Sequence, residues 1–77
     1  MLKMFIIVSV FGHVYGYAGP LEYSKWQCPY VLTVAKDKVE GVIAGGVEFE
    51  GKTVKRHDAT VSCVMLAKRP AGKRLPV

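Results

Sequence analysis

Two cysteines, Cys28 and Cys63, in a chain of 77 residues set the strongest constraint on what this sequence can fold into. A domain this short buries too little surface to be stable on its core alone, so a covalent staple is expected. In a secreted chain the economical arrangement is for the two to pair with each other. Closing a loop of 35 residues is worth about 4 kcal/mol in the loop-entropy model. An intermolecular bridge and a metal site are the alternatives. Two cysteines with His57 are too few ligands for structural zinc, so no metal and no cofactor are expected.

The premise of secretion comes from the N-terminus. Lys3 precedes the apolar run from Met4 to Phe11, which is shorter than the roughly 20 residues a membrane-spanning helix needs. It fits the h-region of a signal peptide. Small side chains follow in two placements: Val14 with Gly16, for a cut before Tyr17, and Gly16 with Ala18, for a cut before Gly19. The second is preferred, giving a leader over 1–18 and a single domain over 19–77. The alternative is that residues 4–11 form the first strand of the folded domain. His13 would leave with the leader and is assigned no function.

Hydrophobic residues at 51% and charged residues at 22% exclude a disordered chain and call for a real core. Losing Lys3 takes the formal charge from +5 to +4 and leaves all six acidic residues in place. A basic domain favours anionic partners such as acidic protein faces, phosphorylated surfaces or nucleic acid.

Along the remaining chain, residues 19–27 read as an extended arm, with Trp26 covering the disulfide. Tyr30 to Ala35 is rich in β-branched and aromatic residues without helical period, the best strand candidate. Lys36–Lys38 reads as a polar turn, and Val39 to Ala44 as a second strand bulged at Gly41. Gly45 and Gly46 break the chain, and Val47 to Glu50 alternates apolar and acidic, as a half-exposed strand does. A hairpin turn at Glu50 and Gly51 leads to a fourth strand near Thr53–His57. Ala59 to Ala67 is apolar on both faces and is expected to be central. The basic tail, 68–77, permits a short edge strand near Lys73–Leu75. Five or six short strands argue for an all-β domain, a small sandwich or barrel.

Enzyme chemistry finds no support. A disulfide removes both thiols as partners for His57. Glu48 and Glu50 share a strand face but have no cleft, and the glycines at 41, 45 and 46 do not form a phosphate-binding loop. No catalytic residue is assigned. What remains is charge: Lys52, Lys55 and Arg56 on one hairpin, and Lys68, Arg69, Lys73 and Arg74 in the tail, form a candidate basic interaction patch. Ordinary solvated charge that keeps strand edges unpaired is the plainer reading. The absence of interleaved aromatics argues against nucleic acid. The dibasic pairs Lys55-Arg56, Lys68-Arg69 and Lys73-Arg74, the last after Gly72, also resemble processing signals of a peptide-hormone precursor. A basic antimicrobial or toxin-like peptide is a further alternative.

One cysteine in Trp26-Gln27-Cys28-Pro29-Tyr30, the stretch Ala44-Gly45-Gly46-Val47-Glu48-Phe49-Glu50, and a second cysteine in Ser62-Cys63-Val64-Met65-Leu66 resemble the MAX effectors of plant-pathogenic fungi. That family includes the ToxB-like and blast-fungus avirulence proteins. The resemblance spans Trp26 to Ala67, and only Cys28 and Cys63 are carried over. It implies a six-stranded β-sandwich of two three-stranded antiparallel sheets, with the disulfide joining the first strand to the fifth. It implies a secreted effector, translocated into host cytoplasm in some cases, that modulates plant immunity by binding a host protein. The implied partner is a heavy-metal-associated-type domain or an immune receptor carrying one, met by a monomer through an exposed sheet edge.

Overall fold

In a computed structural model that describes residues 1–75, the chain is mostly strand with one α-helix. Strands β1 (Lys3–Val10), β2 (His13–Leu21), β5 (Ala59–Leu66) and β6 (Lys73–Arg74) form one sheet in the order β5-β1-β2-β6. Strands β3 (Glu48–Phe49) and β4 (Lys52–Thr53) form a separate two-stranded hairpin. Helix α1 runs from Cys28 to Ala44. The larger sheet is mixed, since β1 is antiparallel to β2 and β5 while β6 lies parallel to β2. The expected all-β sandwich of two three-stranded sheets is therefore not formed.

The helix replaces the two strands expected over 30–44. Pro29 sits in its first turn, where a missing N–H costs nothing and the fixed φ suits the helix. Behind it Cys28, Val31, Leu32, Ala35, Val39 and Ile43 fall on the buried or half-buried side, the spacing of three and four that buries a helical stripe. The β-branched run from Val31 to Val34 thus gave way to tertiary packing, which readily overrides a weak propensity. Gly41 lies in the helix with open space around it, and no bulge is formed there.

The run from Met4 to Phe11 enters the sheet as β1 and the turn after it. Met4, Ile6, Ala18, Val31 and Ala35 make the core between sheet and helix, with Leu21, Cys28, Leu32, Val61, Cys63 and Met65 packed around them. Phe5 and Tyr17, on the opposite face, are also buried and meet edge to face with ring centroids 6.0 Å apart. Residues 67–72 must cross the sheet, because β5 and β6 occupy its two edges. Gly72 lies against Val14 on the face away from the helix. Of the ten buried apolar residues among those described, Met4, Phe5, Ile6, Val8, Val10, Tyr17 and Ala18 lie within 1–18. The sheet therefore belongs to the chain with those residues in place, and removal after Ala18 leaves a different molecule.

The pairing of Cys28 with Cys63 is formed, with Cα atoms 6.2 Å apart, inside the usual range for such bridges. It joins the first residue of α1 to the middle of β5, not two strands. Among the described residues β5 is an edge strand paired only with β1. It was expected at the centre, but that place is taken by β1. The arm read over 19–27 instead completes β2 and forms a 3-10 turn, Lys25–Gln27. The strand expected near Thr53–His57 is shortened to Lys52–Thr53, and Arg56–Asp58 makes a second 3-10 turn. The hairpin at Glu50 and Gly51 is present, with both residues at positive φ, as the two-residue turn of this class requires.

Candidate interaction surface

The start of α1 presents the most exposed aromatic side chains. Ser24 opens the preceding 3-10 turn: its backbone N–H donates to Gln27 Oε1 at 3.0 Å, and Gln27 N–H donates to the Ser24 carbonyl at 3.0 Å. Those bonds satisfy groups that a helix start leaves free. Thr33 Oγ1 donates to the Pro29 carbonyl at 3.0 Å one turn further on. The continuous helical backbone then sets Trp26, Tyr30 and Val34 four residues apart, on one stripe. Trp26 is 80% exposed and Tyr30 63%, while Tyr23 and Val34 are exposed at about half that level.

Trp26 does not cover the disulfide, as expected from its neighbour in sequence. It stands in solvent with the Lys25 Nζ 5.1 Å from its ring centroid, a cation–π distance. Between this stripe and the end of β2 lies a groove of about 210 Å³ lined by Ile6, Ala18, Leu21, Tyr23, Tyr30 and Val34. Its floor is apolar and continuous with the core. Two tyrosines bordering an apolar groove, with an exposed tryptophan on the same helical stripe as one of them, are a composition found at the energetic centre of protein interfaces.

The seven basic residues are distributed over four places. Lys52 in β4 lies over the Phe11 ring, 5.8 Å from its centroid, where Phe11 and Tyr15 pack on Phe49. Lys55 and Arg56 precede β5, with Arg56 Nε 3.9 Å from Glu40 Oε1 beside an open hollow of about 360 Å³ that Lys36, His57 and Thr60 also line. Lys68 and Arg69 follow the far end of β5, an eight-residue strand about 26 Å long. Lys73 and Arg74 form β6 on the opposite edge of the sheet. Glu48 is exposed beside a half-buried Phe49, and Glu50 sits in the turn.

The aromatic stripe escaped the sequence reading because Trp26 and Tyr30 were assigned to an arm and a strand. A signal was present in Pro29, which marks a helix start and turns the interval of four from Trp26 to Val34 into one face. Among the described residues no helix is long and apolar enough to cross a membrane. Comparison with protein-family models, with curated proteins and with solved structures gives no match.

Proposed function

We propose that this is a secreted, non-enzymatic binding module, an effector that acts by docking a host protein, as the sequence resemblance implies. The observation that carries this reading is the exposed stripe of Trp26, Tyr30 and Val34, of which Tyr30 and Val34 border an apolar groove that Ile6 and Ala18 help to line, so it applies to the chain that keeps residues 1–18. Aromatic side chains supply large contact area at low entropic cost, and truncating a central one typically weakens binding by about 2 kcal/mol or more. The disulfide supports an extracellular setting, since such bridges persist in oxidising compartments. The basic excess of +5 would speed encounter with an acidic partner rather than define the site.

The test is a comparison of two surface variants of the full, oxidised chain against proteins of plant tissue. Trp26→Ala with Tyr30→Ala is expected to weaken capture of any specific partner about 30-fold or more. Lys52→Ala with Lys55→Ala and Arg56→Ala is expected to change the salt dependence and leave the partner bound. The reverse ranking would place the contact on the basic residues, and vesicle lysis without protein capture would favour the antimicrobial alternative.

A further inference from the structure

The longest unpaired feature of the sheet is the outer edge of β5. All eight of its residues pair with β1 in a single unbroken register, Lys3 with Leu66 through to Val10 with Ala59. The Phe11 N–H donates to the Asp58 carbonyl at 3.1 Å and continues that register. Antiparallel ladders alternate bonded and non-bonded pairs, so Thr60, Ser62, Val64 and Leu66 direct their N–H and C=O groups to β1. Those of Ala59, Val61, Cys63 and Met65 point away from it, at the free edge. No charged residue, proline or bulge interrupts Ala59–Leu66, although these are the devices that keep edges from pairing.

The ends of the strand differ in charge. Asp58 precedes it, while Lys68 and Arg69 follow it. We propose that this edge is a self-association surface, on which β5 of a second copy of this chain pairs antiparallel about a twofold axis at Cys63. In that register Val61 meets Met65 of the second copy, and Asp58 of each chain comes to lie opposite Lys68 of the other. The acidic and basic ends therefore match only when two copies run antiparallel. Both N–H and C=O rows of the two edges are satisfied, and the two sheets join into one. Among the described residues the opposite edge carries only the two-residue β6, so pairing through β5 closes at a dimer rather than propagating. The dimer replaces the monomer expected from the sequence and leaves the Trp26 stripe free on each copy.

Native mass spectrometry of the full, oxidised chain from micromolar to millimolar concentration tests this. A shift from 8.5 kDa to twice that mass is expected, and a monomer throughout the range overturns the proposal. Amide exchange supplies the pattern specific to this edge. In the dilute monomer Thr60, Ser62 and Val64 are protected while Val61, Cys63 and Met65 exchange freely; in the dimer both sets are protected. Ser62→Lys, an exposed position, is expected to abolish the dimer with unfolding unchanged. Val61→Pro removes an outward N–H without touching the β1 ladder and gives a second check. A dimer that survives both variants, or that protects no odd-numbered amide of β5, overturns it.

Discussion

The N-terminal hairpin and the remainder of the chain divide the work of folding unequally. Residues 1–21 form two strands, hold seven of the ten buried apolar residues among those described, and contain a single charged side chain, Lys3. Residues 22–75 contribute Val31, Ala35 and Val54 to the buried set, together with both halves of the disulfide and all six acidic groups. One region supplies apolar surface and the other supplies the cross-link, the helix and the exposed faces. The comparison teaches that a segment with the composition of a leader is the structural centre of this sheet.

The sharpest way to break that comparison is to begin the chain at Gly19. Full-length protein is expected to unfold cooperatively with a near-ultraviolet circular dichroism signal, whereas the shortened chain loses both, because β1 and two thirds of β2 are gone. The intact mass of protein recovered from a secreting host then tells which molecule is released: a start at Met1 carries this sheet, and a start at Gly19 carries another structure. A truncated chain that unfolds like the full one would overturn the division.

Next in size is the cross-link. Reducing Cys28–Cys63, or replacing both with Ser, is expected to lower stability by about 4 kcal/mol, read as a fall in denaturant midpoint with a steeper slope, because the denatured chain is no longer held compact by the cross-link. The smallest test compares one side chain from each region. Ile6→Ala, buried between sheet and helix, is expected to cost about 3 kcal/mol. Val42→Ala, 62% exposed on α1, should fall within about 0.5 kcal/mol of the parent chain. Equal losses at the two positions would show that the core is shared more evenly.

Features set by local chemistry were legible in the sequence. Glu50-Gly51 announced its turn, Ala59–Leu66 its strand, Lys73–Arg74 its short edge strand, and the two cysteines their bridge. Features set by competition between levels were not. Tyr30 to Ala35 has strand-like composition, yet the side chains that must meet Met4 and Ile6 lie at Val31 and Ala35, one helical turn apart. Choosing the helix required knowing that an apolar sheet stood opposite, and that sheet includes the run assigned to the leader. The strand reading of 30–35 also moved the candidate site. With Trp26 and Tyr30 off the helix, the candidate site falls to basic residues that the fold distributes over four places.

The approach of β6 to β2 rests on Gly16, where any side chain would stand 2.7 Å from the Lys73 carbonyl and 2.8 Å from Leu75. The contact is narrow: two residue pairs, extended by the Leu75 N–H donating to the Tyr17 carbonyl at 2.7 Å. It joins Gly16 to Lys73 across a sequence separation similar to that between β1 and β5, yet forms two residue pairs where β1 and β5 form eight, so a comparable closure cost has a much smaller return. Such a strand is expected to be the first part of the sheet to detach, read as faster amide exchange at Leu75 than at the β1–β2 ladder.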